Sequence, residues 1–284
     1  MKLRFTKMHG CGNDYIYFDC IKNPEMKNPG QLSKKLSDRH YGIGSDGIIL
    51  ICKSEIADAK MRVFNNDGSE GKMCGNGVRC VGKFLFDKDI ARKETITVET
   101  LSGVRTLQIK SKDGKHADLI TVDIGKAIFE PKKIPVKLPI NEKIINYPIT
   151  IDNTEYKINC VSMGNPHCVV FFKEIDNLNL DKIGPRFERF EIFPEKVNTE
   201  FVKIISEKEI AMRVFERGSG ETLACGTGAC ASAVEAVENG FCKKNTDILV
   251  HLKGGNLTIK YTDDTVFMTG PATTVFEGEI EIED

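Results

Sequence analysis

The chain has 284 residues, of which 40% are hydrophobic and 29% charged, and its formal net charge at pH 7 is −1. So small a net charge argues against a nucleic-acid-binding protein, which usually carries a basic excess. No stretch approaches the roughly 20 apolar residues of a membrane helix, and the first residues turn polar too soon for a signal peptide. We therefore expect a cytoplasmic protein with neither a nucleic-acid partner nor a membrane partner.

Short apolar or alternating runs bounded by Gly, Asn, Asp and Pro predict strands in both halves of the chain. In chain order the predicted strands are Gly47–Cys52, Met61–Phe64, Thr95–Thr100, Thr106–Ile109, Lys157–Val161, Cys168–Phe172, Ile210–Phe215, Asp247–His251 and Leu257–Tyr261. The predicted helices are Leu32–His40, Val78–Phe86 and Ala229–Glu238, the last of which ends at an Asn-Gly cap. The elements predict an α+β protein.

The chain repeats part of its own sequence. MRVFNNDGSEGKMCGNG begins at Met61 and MRVFERGSGETLACGTG begins at Met212, an offset of 151, with eight identities in seventeen positions. Upstream, Asn13 lies 61 residues before Cys74, and Asn165 lies 60 residues before Cys225. Because two markers recur at nearly the same spacing, we predict duplication of a whole domain.

The predicted fold follows from this repeat. It consists of two homologous domains related by a pseudo-twofold axis, each a mainly antiparallel β-barrel or sheet wrapped around a central helix. We expect the N-terminal domain to comprise residues 1–125 plus 272–284 and to carry Cys74. The C-terminal domain would comprise residues 126–271 and carry Cys225.

Of the ten cysteines, only Cys74 and Cys225 have a sequence context that indicates catalysis. The cytosol keeps thiols reduced, and neither C-x-x-C pairs nor enough histidines are present for a zinc site, so we predict no bound metal. Cys74 and Cys225, however, each begin a Cys-Gly-x-Gly segment directly before a predicted helix. The free N–H groups and partial positive charge of a helix start attract a carboxylate and lower a thiol pKa from about 8.5 toward 7 or below.

Two such thiols in duplicated domains indicate inversion at a carbon atom. A twofold axis would bring both helix starts to one cleft, with a thiol on each face of a bound substrate. One thiolate would remove a proton and the opposite thiol would supply one, as general base and general acid. We therefore predict a cofactor-independent enzyme that inverts an amino-acid α-carbon with Cys74 and Cys225.

The sequence also resembles the diaminopimelate epimerase family, over essentially the whole chain. The segments that carry the resemblance are MHGCGNDY from Met8, HYGIGSDG from His40, FNNDGSEGKMCGNGVRC from Phe64, VSMGNPHCV from Val161, PEKVNTEF from Pro194 and ERGSGETLACGTGAC from Glu216. The resemblance implies epimerisation of LL-2,6-diaminopimelate to the meso isomer, without pyridoxal phosphate, in lysine and peptidoglycan precursor biosynthesis. It also implies a homodimer.

The family pattern assigns roles to matching positions. Cys74 and Cys225 would be the catalytic acid and base, and His167 and Glu216 would tune their pKa values. The residues implied to bind substrate are Asn13, Asn65, Gly75, Asn76, Asn165, Asn198, Glu216, Arg217, Gly226 and Thr227. The chain departs from the family at Gly47, where Gln is common, so we leave this position out of the site.

Other interpretations stay open at this stage. A related racemase, such as a proline racemase, would use the same two-thiol plan. A thiol redox or metal-binding protein, a pure binding module and a pyridoxal-phosphate enzyme are further alternatives. Individual site residues also have structural explanations: Asn in turns often serves only the backbone, Glu216 and Arg217 would form an ordinary surface ion pair, and His167 would be a buried structural imidazole.

Overall fold

The computed structural model describes residues 2–23 and 26–282. The chain divides into two compact units, residues 1–122 with 269–284 and residues 123–268. Each unit contains strands of the mixed β-sheet and two α-helices of its own. Among the described residues, no helix is long and apolar enough to cross a membrane.

Unit 1 is a mixed sheet with two helices. Its strands are β1 (Lys2–Gly10), β2 (Asn13–Cys20), β3 (Gly47–Cys52), β4 (Ala59–Asn65), β5 (Glu70–Gly71), β6 (Thr95–Thr100), β7 (Gly103–Lys110), the first four residues of β8 (Leu119–Gly125) and β18 (Thr273–Glu281), and its helices are α1 (Pro29–Ser37) and α2 (Gly75–Asp87). The pairs β2–β3 and β4–β6 run parallel. The pairs β18–β1, β1–β2, β3–β4, β4–β5, β6–β7 and β7–β8 run antiparallel.

Unit 2 has the same kinds of element. Its strands are β9 (Ile144–Ile151), β10 (Thr154–Ser162), β11 (Pro166–Phe171), β12 (Asn198–Ser206), β13 (Glu209–Glu216), β14 (Gly220–Glu221), β15 (Asp247–Leu252), β16 (Gly255–Tyr261) and β17 (Val266–Gly270), and its helices are α3 (Leu180–Glu188) and α4 (Gly226–Glu238), with a short 3₁₀ turn at Pro131–Lys133. Here β11–β12 and β13–β15 run parallel, and β9–β10, β10–β11, β12–β13, β13–β14 and β15–β16 run antiparallel.

The two units repeat one topology. In each, a hairpin is followed by a helix and a parallel strand, then by a second hairpin, a helix that begins at a cysteine, and another parallel strand. Crossovers that contain a helix explain the parallel steps, because parallel neighbours need a long connection. The predicted α+β fold class, with duplicated and mainly antiparallel sheets, is confirmed.

Two helices pack against the strands of each unit. Helix α2 is buried along almost its whole length, as expected of a helix enclosed by a sheet, and α4 is buried in the same way. Helix α1 packs through Leu36 against Ile48 and Leu50 of β3, while Phe187 of α3 contacts Phe201 of β12. Burying one such large side chain stabilises a fold by about 1.5–3 kcal/mol.

The three predicted helices each begin three residues before the predicted start, and one further helix was not predicted. Helix α1 ends at Ser37, three residues before the predicted end at His40, because Oδ1 of Asp38 accepts the N–H groups of His40 and Tyr41 and closes a turn. Helix α3 was not predicted, since Pro185 in its interior is typical of a helix end. Its start is stabilised by the Asn179 side chain, which caps the first turn.

Candidate active site

Cys74 is the N-cap of α2, with extended backbone at φ −131° and ψ 117°. Its Sγ accepts the N–H of Gly77 at 3.3 Å and so takes the place of a capping oxygen. Gly77 has no room for a side chain, because a Cβ there would lie 2.6 Å from Cδ1 of Ile49 on β3. The close packing holds the thiol against the positively polarised end of the helix.

The amide of Asn13, at the start of β2, contacts the Cys74 thiol. The thiol donates to Oδ1 of Asn13 over 3.3 Å, while Nδ2 of Asn13 donates to Oδ2 of Asp46 over 2.8 Å. Asp46 therefore sets the orientation of this amide. Burial, and then the charge of Asp14, raises the pKa of Asp46. Arg39 pairs with both carboxylates, at 2.8 Å from Asp14 and 3.1 Å from Asp46.

Tyr15 on β2 is buried near Cys74. Burial raises the pKa of Tyr15 well above its usual value, with smaller contributions from Cys74 and Asp46, so the phenol keeps its proton and can donate to the thiol. The same ring explains Gly47: a Cβ at this position would lie 2.9 Å from Cε1 of Tyr15 and would collide with the carbonyl oxygen of Phe64. No side chain therefore reaches the site from position 47.

Three more of the predicted residues belong to unit 1. Gly75 and Asn76 are the buried first residues of α2, and Oδ1 of Asn76 accepts a hydrogen bond from Nη2 of Arg79 at 2.9 Å. Asn65 ends β4, where its Nδ2 donates to Oγ of Ser69 at 3.0 Å. This contact fixes Asn65 in the turn between β4 and β5.

Cys225 has the equivalent position in unit 2. It is the N-cap of α4, with φ −114° and ψ 110°, and its Sγ accepts the N–H of Gly228 at 3.3 Å. Gly226 and Thr227 follow as the first residues of the helix, and Oγ1 of Thr227 lies 3.6 Å from the sulfur. Cys225 is buried, whereas Cys74 is partly exposed.

The electrostatic environment of Cys225 differs from the sequence prediction. Burial, followed by the carboxylates of Glu216 and Glu200, raises the pKa of its thiol, while Thr227 and the Gly228 N–H oppose the rise. The predicted lowering of the thiol pKa is therefore wrong for Cys225, because desolvation and two nearby acids outweigh the helix start. These surroundings favour the protonated thiol at Cys225, the form that donates a proton.

Glu216, the last residue of β13, is coupled to this thiol. Desolvation raises the pKa of Glu216, and the charge of Glu200 adds to the effect, whereas hydrogen bonds from Thr222 and Cys225 lower it. Glu216 and Cys225 therefore affect each other's protonation: the Glu216 charge raises the thiol pKa, and the thiol hydrogen bond lowers the pKa of Glu216.

A buried chain of polar groups lies across β11 and β12. Nδ1 of His167 is 2.7 Å from Oε1 of Glu200, and both side chains are fully buried. Nε2 of His167 is 3.0 Å from Oδ1 of Asn165. Sequence reasoning missed Glu200; the only signal was an acidic residue inside an apolar run that continues as Phe201 and Val202.

The remaining predicted residues, Asn198 and Arg217, are joined to each other. Nδ2 of Asn198 donates to the Pro166 carbonyl at 2.9 Å, and its Oδ1 accepts the backbone N–H of Arg217 at 2.9 Å. The exposed Arg217 guanidinium donates to the Glu195 carbonyl at 3.0 Å. Within residues 2–23 and 26–282, no group of three or more His, Cys, Asp or Glu side chains is arranged to hold a metal ion.

The chain is similar to known proteins over nearly its whole length. The family model for diaminopimelate epimerase matches residues 5–130 and 159–275. A diaminopimelate epimerase of Acetivibrio thermocellus is 51% identical over 284 residues, covering 99% of this chain and 100% of that protein. One of Methanococcus maripaludis is 51% identical over 282 residues, again covering 99% and 100%.

Solved structures at low identity share the fold. A probable proline racemase of Agrobacterium radiobacter has a TM-score of 0.74 at 13% identity, covering 99% of this chain and 93% of that one. A hydroxyproline epimerase of Agrobacterium vitis has a TM-score of 0.70 at 15% identity, covering 100% and 93%. The match of the family model over both halves, together with half-identical relatives over the full length, shows that this chain belongs to the diaminopimelate epimerase family.

Proposed function

We propose that this protein epimerises 2,6-diaminopimelate at one α-carbon, between the LL and meso isomers, in lysine and peptidoglycan precursor biosynthesis. One observation carries the proposal: in a chain of this family, Cys74 and Cys225 cap equivalent buried helices, and each sulfur accepts the N–H of the third helical residue. Two thiols in matched settings suit a reaction that is chemically alike in both directions.

The proposed mechanism moves one proton at each thiol. One cysteine, as thiolate, removes the α-proton, and its S–H bond forms as the C–H bond breaks. The other cysteine, as thiol, gives its proton to the opposite face of the carbanion and becomes the thiolate. For the reverse reaction the two exchange roles. The raised pKa of Cys225 favours Cys225 as the proton donor and Cys74 as the base in the free enzyme.

The helix starts would stabilise the charge that develops in this step. We propose that the backbone N–H groups of Gly75 and Asn76 in α2, and of Gly226 and Thr227 in α4, bind the carboxylate next to the reacting carbon. Preorganised donors of this kind stabilise negative charge most strongly where it forms, since they need no rearrangement during the reaction.

The polar side chains would hold the rest of the substrate. We propose that Arg217 binds the far carboxylate, for which a guanidinium is the best-shaped partner, and that Glu216 contributes to binding the ammonium groups. The amides proposed to take part are those of Asn13, Asn65, Asn165 and Asn198. His167 and Glu216 would tune the thiols, as the contact between Glu216 and Cys225 supports.

Three further features belong to the same proposal. The enzyme needs no cofactor, because the thiols and helix starts supply the acid, the base and the charge stabilisation. It works in the cytoplasm, where its cysteines stay reduced. It functions as a homodimer. Each chain has two domains, one carrying Cys74 and the other carrying Cys225.

Incubation with LL-diaminopimelate tests the proposed function. Purified protein kept under thiol reductant is expected to form the meso isomer, resolved by chiral chromatography, and to form the LL isomer from the meso isomer. Proline and 4-hydroxyproline serve as parallel substrates and should stay unchanged. Inversion of either cyclic amino acid, with none of diaminopimelate, would instead assign the protein a proline-racemase-like activity.

A further inference from the structure

Glu200 is a fully buried acid near the start of β12. Its neighbours on the adjoining strands are apolar, Val169 on β11 and Val214 on β13. Acidic side chains are almost never fully buried unless they are paired, and burial of a charge is strongly unfavourable. The position of this carboxylate therefore calls for a functional explanation.

One side of Glu200 faces the polar chain described above. Its Oε1 is 2.7 Å from Nδ1 of His167, and the other ring nitrogen of His167 is 3.0 Å from the side chain of Asn165. A hydrogen bond to one ring nitrogen sets the tautomer and the orientation of an imidazole. Glu200 thus fixes His167, which in turn fixes the amide of Asn165, a residue proposed to bind the substrate.

The other side of Glu200 faces the start of α4. A Cβ on Gly228 would lie 2.7 Å from Oε1 of Glu200, so the carboxylate occupies the space that the glycine leaves open. The N–H of that same glycine donates to Sγ of Cys225. The second oxygen, Oε2, is buried and has no hydrogen-bond partner. The titratable groups around Glu200 are His167 and Cys168 on β11, Glu216 on β13 and Cys225 at the start of α4.

Unit 1 shows that the fold itself does not need this acid. The residue 151 positions earlier is Ile49, which pairs with Val63 as Glu200 pairs with Val214. The methyl group of Ile49 fills the space beside Gly77 as the Glu200 carboxylate fills the space beside Gly228. An apolar side chain therefore provides equivalent packing at the start of α2, the counterpart of α4 in unit 1.

We propose that Glu200 is a positioning residue for the epimerisation: it holds His167, and through His167 the Asn165 amide, against the helix start that carries Cys225. The inference rests on the function proposed above. It also makes the two helix starts chemically unequal, because the carboxylate lies beside the start of α4 and has an apolar counterpart, Ile49, beside the start of α2. The charge of Glu200 also raises the thiol pKa of Cys225, which is consistent with this chemical difference between the two helix starts.

Two substitutions separate the charge of Glu200 from its hydrogen bond. Glu200→Gln keeps the shape and an oxygen that accepts from His167 but removes the charge, and we expect kcat/KM for LL-diaminopimelate to fall roughly 10-fold. Glu200→Ile copies unit 1 and removes both, and we expect a fall of about 10²-fold with a higher KM, because the Asn165 amide is no longer held in place. Glu235→Gln, at an equally buried acid of α4, is the matched control and should retain wild-type kinetics.

A second measurement does not depend on activity. The rate at which iodoacetamide alkylates Cys225, followed by mass spectrometry of its peptide, should begin to rise at lower pH in Glu200→Gln than in the wild type, since one nearby negative charge has been removed. The rise in Glu235→Gln should coincide with that of the wild type. A purely structural role for Glu200 would change the melting temperature without moving this pH dependence.

The outcomes separate this inference from the proposed function. A wild-type protein inactive on diaminopimelate overturns the function, while the alkylation profile still tests the position of Glu200 beside Cys225. An active wild type with unchanged kcat, KM and alkylation profile in Glu200→Gln overturns the inference. Should Glu200→Ile fail to fold, the Gln variant alone decides.

Discussion

Replacing either Cys74 or Cys225 by Ala is expected to lower kcat for epimerisation by roughly 10²–10⁴-fold, the range for loss of a general acid or base. Each sulfur caps its helix through the third residue, at 3.3 Å in both units. Removing one thiol leaves the opposite helix start intact, so substrate still binds. Epimerisation slows because the variant lacks either the base that forms the carbanion or the acid that protonates it.

Proton exchange distinguishes this account from general damage to the protein. Each single variant should still exchange, slowly and with retention of configuration, the α-proton of the isomer whose proton faces the surviving thiol, because a carbanion that no second thiol quenches persists while the surviving thiol trades its proton with solvent. The two variants should therefore differ in which isomer takes up deuterium. Cys80→Ala and Cys230→Ala are the matched controls, since both thiols are buried in the same two helices beyond the first turn. Near-wild-type epimerisation by either Cys74→Ala or Cys225→Ala would disprove the two-thiol mechanism.

Replacing Glu235 by Gln is expected to stabilise the protein at alkaline pH relative to the wild type. Glu235 is fully buried in α4, neither carboxyl oxygen has a hydrogen-bond partner, and burial, followed by the charge of Glu238, raises its pKa to about 8. The unfolded chain releases this proton near the ordinary value of 4.5. Between pH 4.5 and about 8 the folded state binds more protons than the unfolded state, so the free energy of unfolding falls as the pH rises.

The size of the effect follows from that interval. Each pH unit corresponds to about 1.36 kcal/mol, so the stability conferred by protonated Glu235 is fully present below about pH 4.5 and declines by ~5 kcal/mol as the pH passes 8. As the pH rises over this interval, the free energy of unfolding of Glu235→Gln should increase by this amount relative to that of the wild type. Urea unfolding at pH 5, 7 and 9 measures it. The exposed Glu155→Gln is the control, and a constant difference between wild type and Glu235→Gln would refute the account.

Much of the fold is encoded in short stretches of sequence. The strands Gly47–Cys52 and Thr95–Thr100 have the predicted limits, because each is an apolar or alternating run between turn residues. The helix starts at Cys74 and Cys225 were predictable, since Cys-Gly-x-Gly occurs twice at one offset. Helix α3 was not, because its Gly184-Pro185 pair looks like an interruption and only packing through Phe187 compensates for it.

The candidate site was predictable where the repeat or the family pattern marks its residues, even 60 residues from a thiol, as for Asn13 and Asn165. Glu200, Tyr15 and Asp46 were missed, because neither signal singles them out and they meet the cysteines or their partners only in the folded units. The thiol pKa of Cys225 was predicted in the wrong direction for the same reason. A helix start is visible in sequence, whereas desolvation and the charges of neighbouring strands are not.

The most direct test of the central claim is the position of deuterium at early conversion of LL-diaminopimelate in heavy water. A thiol holds a single proton, so a base that removes the substrate proton returns that same proton, while the opposite thiol delivers one from solvent. We predict meso product that carries deuterium at the inverted carbon, together with remaining LL substrate that carries none. Deuterium appearing in the LL substrate as fast as in the product, or product that retains the original proton, would contradict a reaction run by Cys74 and Cys225 on opposite faces.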